Sequence, residues 1–148
     1  MNIVFRQATP DDVMAAVALL RDDGLGSVRE IGPEDDYLAA FDAMMASPGN
    51  LLMVGEQGSE IVATYQFTLI PGISLKGALR AQLEGVRVAS HMRGKGVGHL
   101  LIADAKARAE AAGARLMQLT MNQSREDAKR FYEAVGFEAS HFGFKLAL

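Results

Sequence analysis

Cysteine is absent from this 148-residue chain. That excludes a disulfide scaffold, a thiolate metal site and a covalent cysteinyl acyl-enzyme. Histidine is scarce. His91, His99 and His141 are the whole supply, and their spacing matches no metal-ligand pattern, so no metal is expected. No stretch reaches the roughly 18 to 20 apolar residues of a membrane span. The first residues lack the charged-then-apolar layout of a signal peptide, so a cytoplasmic protein without a membrane partner is expected. An excess of basic residues is lacking too. The formal net charge is -3, which argues against a nucleic-acid partner.

What is present suits an ordinary globular protein, with 49% hydrophobic and 22% charged residues. The length fits a single domain over residues 1–148 with one core, and no linker, repeat or low-complexity segment divides it. The negative charge is uneven. Asp22, Asp23, Glu30, Glu34, Asp35 and Asp36 crowd residues 22–36 against Arg29 alone. Such a run either steers a cationic acceptor or forms solvated helix ends and loop.

Periodicity predicts the element order β-α-α-β-β-β-α-β-α-β-β, an α/β pattern. A first strand spans 2–7. Thr9, Pro10 and Asp12 form a T-x-x-D start to a helix whose core face is Val13, Ala16, Val17 and Leu20. Gly24 and Gly26 break it. Pro33 opens a second helix with the stripe Leu38, Phe41 and Met45. Residues 51–56 and 61–70 read as a hairpin about Gln57-Gly58-Ser59. Residues 78–89 form the next strand, 96–112 a helix stopped by Gly113, and 116–121 a strand. Ser124 and Asp127 suggest a capping box for a helix with the apolar face Ala128, Phe131, Tyr132 and Val135, ended by Gly136. Phe142, Phe144, Leu146 and Leu148 alternate, which predicts a closing strand.

The segment Val86-Arg87-Val88-Ala89-Ser90-His91-Met92-Arg93-Gly94-Lys95-Gly96-Val97-Gly98 carries the chemistry. A strand runs into a basic glycine-rich turn, and a helix starts at once. The first N–H groups of a helix have no internal partners and lie at its positive end. Glycines let the backbone wrap a phosphate, and Arg93 and Lys95 add charge. A P-loop is excluded because Gly96 follows Lys95 where Ser or Thr must stand. A dinucleotide fingerprint is excluded because His99 occupies the third glycine position. The pattern that remains is R-x-x-G-x-G, at Arg93, Gly96 and Gly98.

This loop resembles the pyrophosphate loop of the GNAT superfamily of acyl-CoA-dependent N-acetyltransferases. A second block, Asn122 to Phe137 with its F-Y-E-x-x-G-F ending, is similar to the same superfamily's strand end and following helix. The resemblance implies a mixed, mainly antiparallel sheet with helices on both faces. It also implies a splayed parallel strand pair, at 78–89 and 115–121, that admits the pantetheine arm of acetyl-CoA. By the same resemblance, Arg93, Gly94, Lys95, Gly96, Val97 and Gly98 hold the pyrophosphate. Val86 and Val88 offer backbone groups to the arm and acetyl carbonyl, and Asn122 bonds the arm.

Acetyl transfer to an amine poses two proton problems. An alkyl ammonium has pKa ~10.4, so only on the order of one part in a thousand is neutral at pH 7. A general base must help, and the departing thiolate needs a proton. The resemblance makes Tyr132 the acid and Glu84, on the strand before the loop, the base. Packing within an apolar helix face is the alternative role for Tyr132, and a surface ion pair with Arg80 or Arg87 the alternative for Glu84. His91 has a suitable intrinsic pKa but stands close to the phosphates. Gly85 marks a bulge that re-aims its neighbours. The function expected is direct transfer from acetyl-CoA to a primary amine of a small molecule, peptide or protein, in a ternary complex. The competing reading is a CoA- or acyl-CoA-binding module without turnover. The apolar final strand also makes a homodimer an expected assembly.

Overall fold

The computed structural model describes residues 1–148. Five strands, β1 (Val4–Gln7), β2 (Asn50–Gln57), β3 (Glu60–Ile70), β4 (Arg80–Val88) and β5 (Leu116–Leu119), form one sheet in the order β1-β2-β3-β4-β5. Neighbours among the first four are antiparallel, and β4 pairs with β5 in parallel. Parallel neighbours need a crossover, and helix α5 (Val97–Ala111) supplies it. Helices α1 (Val13–Arg21), α2 (Gly26–Arg29) and α3 (Glu34–Ala46) lie between β1 and β2. The single turn α4 (Ser74–Gly77) precedes β4, and α6 (Glu126–Ala134) follows β5.

The sheet is covered on both faces. Val97, Leu101, Ile102, Ala105 and Ala109 recur along one side of α5 and pack on Met53, Ala63, Tyr65 and Leu83. Val13, Ala16, Val17 and Phe41 from α1 and α3 pack on Val54 from the other side. Each large buried side chain contributes roughly 1.5–3 kcal/mol. Tyr65 is fully buried and donates its hydroxyl to the Asp104 carboxylate, which Arg108 holds at 2.8 Å. Arg108 also reaches the Phe5 carbonyl at 3.2 Å, tying α5 to the far edge of the sheet.

The Thr9 start forms as a 3-10 turn, Pro10–Asp12, ahead of α1. The Thr9 amide donates to Asp12 Oδ2 at 2.7 Å, and the Arg6 guanidinium forks onto both Asp12 oxygens at 2.7 and 3.0 Å. That fork, with the Thr9 bonds, holds the Asp12 carboxyl at a pKa of about 2 against the cost of burial.

Four local expectations are corrected. Met45 is exposed, and Met44 takes the inward position beside Phe41, so the stripe lies one residue out of phase. A one-turn helix, α2, occupies the stretch after the Gly24 break. Ser124 does not cap α6. Asn122 Oδ1 accepts from the Ser124 amide at 3.0 Å and its hydroxyl at 2.7 Å, and that local turn takes the serine's hydrogen bonds. Residues 142–148 form no strand. Phe142, Phe144 and Leu146 are 87%, 94% and 86% exposed. Alternation gives a segment the propensity for a strand, but the ladder needs a neighbour, and this segment has none within the chain.

Candidate active site

The centre of the site is a break in β4. Gln66 pairs with Glu84 and Thr64 with Arg87, so Gly85 and Val86 together oppose Tyr65. Gly85 has φ +58°, the left-handed geometry of a glycine bulge. Because the bulge counts as one position, Glu84 and Arg87 face the same side of the sheet, toward α1. The bulge expected at Gly85 is therefore present. Parallel pairing with β5 ends at Leu83 opposite Leu119, while β4 continues to Val88. Past Leu83, the edge of β4 that faced β5 has no strand beside it. This gap is the splay, and it leaves backbone groups available to an incoming chain.

The glycine loop closes one end of the gap. After a 3-10 turn at Ser90–Met92, Gly94 and Gly96 take φ of +74° and +85°, and Gly96 caps α5. A Cβ at either glycine would meet nothing within 4 Å, so positive φ and open ground, not crowding, set the requirement. The amides of residues 94–99 donate to no backbone acceptor, and the first helical bond runs from Leu100 to Gly96 at 3.2 Å. These free donors converge at the positive end of a 15-residue helix. Gly98 serves a different purpose. A Cβ there would lie 3.0 Å from the Phe131 ring, so this glycine lets α6 approach α5.

The two cations of the loop differ. Lys95 is exposed and makes no ion pair. Arg93 donates from Nε to the Val88 carbonyl at 3.2 Å and from Nη2 to the Asp22 carbonyl at 2.8 Å. It fastens the loop to the end of α1. Val88 thus gives its carbonyl to Arg93, and Val86 gives its carbonyl to Arg87 Nη1 at 2.9 Å.

Tyr132 is half-buried on α6, with its ring edge-on to Phe131 and Phe137 at centroid distances of 5.3 and 5.7 Å. Burial raises its hydroxyl pKa, and the nearby Arg87 and Arg125 charges pull it down by less. Glu84 is exposed and pairs with neither Arg80 nor Arg87. It stands on the wall of a cavity of about 140 Å³, with Gly85, Gln66, Leu20, Tyr37 and Phe41 among the lining residues. Asn122 is exposed, with its carboxamide oxygen held by Ser124. The histidines stand apart from this centre. His91 pairs with Glu60 at 3.2 Å, His99 lies edge-on to Phe131, and His141 is on the exposed tail. No group of three or more His, Asp or Glu side chains is placed to hold a metal ion.

Half of the acidic run is paired within the protein, and the other half is exposed at a helix start. Asp22 accepts from the Ser90 amide at 2.9 Å, and Glu30 accepts from the Tyr37 hydroxyl at 3.1 Å. Glu34, Asp35 and Asp36 occupy the first turn of α3, where helix polarity favours them. Asp23 holds the feature that sequence reasoning missed. Its Oδ2 lies 2.9 Å from Arg87 Nε and also accepts from Arg125 Nη2. The available signal was Arg87 itself, a charged residue between two valines in a strand.

A family model described as the acetyltransferase (GNAT) family matches residues 15–137, most of the chain. The chain belongs to the GNAT family. A transcriptional regulator from Bacillus halodurans C-125 has the same GNAT-type fold at a TM-score of 0.94 and 40% identity, covering 99% of this chain and 100% of that one. A Trypanosoma brucei acetyltransferase matches in fold at a TM-score of 0.80 and 24% identity, covering 99% and 100%. An aminoalkylphosphonate N-acetyltransferase from Salmonella typhimurium is 42% identical over 67 residues, which are 45% of this chain and 44% of that protein. The match therefore spans less than half the length of that curated relative. The GNAT membership accords with the strand splay and with the free amides that follow it.

Proposed function

We propose that residues 1–148 act as one GNAT domain that transfers the acetyl group of acetyl-CoA to a primary amine by direct attack in a ternary complex. The observation that carries this reading is the run of free amides from Gly94 to His99, set beside the gap between β4 and β5. The residues fit the cofactor. Two positive-φ glycines leave open ground where a diphosphate would sit, and Lys95 adds an unpaired cation.

Acetyl-CoA supplies an activated thioester: a C–N bond forms, a C–S bond breaks, and the ammonium gives up two protons, one ending on sulfur and the other in solvent. Gly94, Gly96, Val97 and Gly98, with Lys95, hold the diphosphate through backbone amides and charge. Arg93 keeps the loop against α1 and orients those amides. Val86 and Val88 present backbone groups to the amide-bearing arm, and Asn122 has a carboxamide NH2 free to do the same from the other side. Glu84, facing the cavity from an exposed position, takes the amine proton directly or through water. Tyr132 is protonated at neutral pH, as any phenol is, burial disfavours its phenolate further, and it serves as the acid toward sulfur.

A panel of primary amines, assayed by thiol release, tests the reading. Acceptor-dependent release of CoA is expected. Tight cofactor binding with no release across the panel would favour the non-catalytic CoA-binding module instead. The acceptor's size class, small molecule or peptide or protein amine, is read from the same panel. No nucleic-acid partner is included, because the chain's net charge is -3. A cytoplasmic, membrane-free placement belongs to the same proposal, and cell fractionation checks it. No helix is long and apolar enough to cross a membrane.

The proposal extends to a homodimer. The tail after Gly136 exposes Phe142, Phe144, Leu146 and Leu148, which alternate along the sequence, and β5 is the outermost strand of the sheet. A second copy offers the missing neighbour for such a strand.

A further inference from the structure

We propose that the acceptor carries an acidic group near its amine, a carboxylate or phosphonate, and that Arg87 and Arg125 bind that group. The inference rests on the acetyltransferase reading and adds the substrate class. It begins from charge balance. Asp23 Oδ2 is shared by two guanidinium groups, Arg87 and Arg125, so one positive charge stays uncompensated. The three side chains are only 12%, 28% and 17% exposed for Arg87, Arg125 and Asp23. A cation in that position is costly unless paired and hydrogen-bonded.

Directed bonding is also incomplete. Arg87 Nε is buried and, although close to Asp23, makes no hydrogen bond of acceptable geometry. Burial is the chief cause of a lowered Arg87 pKa, followed by repulsion from Arg125, with Arg29 adding to it. Arg29 itself has no carboxylate partner. Two arginines therefore share a single aspartate, and a third, Arg29, adds to the repulsion on Arg87. A bound oxyanion supplies the missing negative charge, and the planar guanidinium suits a two-oxygen acceptor.

Position ties the cluster to the chemistry. Arg87 follows the bulge and shares a sheet face with Glu84, and it donates to the Val86 carbonyl. Arg87 and Arg125 are both near enough to Tyr132 to influence its hydroxyl. An acid fixed at these arginines would leave a short chain to bring its amine between Glu84 and Tyr132. Of the two readings of the acidic run, this favours the one without a cationic acceptor, since Asp22, Asp23 and Glu30 are already paired.

The test compares amines of similar length: 2-aminoethylphosphonate, 3-aminopropanoate, ethanolamine and 1,4-diaminobutane. Wild-type protein should acetylate one or both acid-bearing amines with kcat/KM at least about tenfold above the other two. Arg125→Gln leaves Arg87 and Asp23 as a neutral pair. It should raise KM for the acid-bearing amine roughly 10- to 100-fold, the range for a lost hydrogen bond to a charged group. The acetyl-CoA Kd should hold, and the preference for the acid-bearing amine over ethanolamine should collapse. Phosphonate preference over carboxylate, or the reverse, identifies the oxyanion.

Equal or better use of ethanolamine or the diamine would overturn the inference, as would an Arg125→Gln protein that keeps the preference. If no amine is turned over, calorimetric titration of 2-aminoethylphosphonate and 3-aminopropanoate into the CoA-loaded protein decides it separately. Binding lost in Arg125→Gln sustains the anion subsite while the transferase reading fails. No binding of either acid overturns the subsite.

Discussion

In the proposed reaction, Tyr132 and Glu84 separate the two proton tasks by environment. The tyrosine is half-buried between aromatic rings, and its raised pKa keeps it a proton donor through neutral pH and beyond the ordinary phenol value. Tyr132→Phe should lower kcat by about 100-fold or more, within the usual range for a lost general acid, while the acetyl-CoA Kd stays put. Steady-state kinetics with parallel calorimetry checks this, and an unchanged kcat would reduce Tyr132 to packing. Glu84→Gln should flatten the acidic limb of the pH–rate profile. A retained limb would move the base role to water or to a histidine. The sequence singled out Tyr132 through its F-Y-E-x-x-G-F block and Glu84 through its place on the strand before the glycine loop. The Asp23–Arg87–Arg125 cluster was not legible there, because its members lie 38 to 102 positions apart and meet only when α1, β4 and α6 pack.

At the scale of elements, local signals and long-range ones fared differently. The β2–β3 hairpin, the Gly85 bulge and the glycine cap of α5 were readable because each depends on a few neighbouring residues. The final strand was misread because alternation records a preference and not a partner. Deleting residues 140–148 should shift the protein from dimer to monomer in light scattering. A monomer both before and after the deletion would remove the dimer proposal. The start of α1 makes a pH prediction. Asp12 has a folded pKa of about 2, below the ordinary carboxylate range, so its contribution is full above about pH 4 and fades as the pH falls toward 2. Melting temperature should drop across that window, and Asp12→Asn should be less stable at pH 7 and show a smaller drop. An equal drop in the variant would assign the acid sensitivity elsewhere.

For the whole molecule, the sheet divides the labour. The α5 face supplies the larger core and aims helix amides at the loop, while the α1 and α3 face carries the cavity and the arginines. Between them, the bulged β4 and the short β5 leave the gap that a cofactor arm requires. The α/β architecture followed from the order of elements. The direction and splay of the strands entered only through resemblance, since neither periodicity nor composition encodes them. Acceptor class depends on charges gathered from several elements, which is why the acidic run alone left two readings open.

Calorimetric titration of acetyl-CoA into the wild-type protein and into Gly96→Asp is the most direct measurement. The glycine has φ +85° and open space before it, so aspartate there adds strain and a negative charge where the diphosphate would lie. Micromolar binding by the wild type, lost in Gly96→Asp with the fold intact by circular dichroism, is the predicted result. Absence of binding by the wild type, or normal binding by the variant, would contradict the assignment of this loop as the cofactor site.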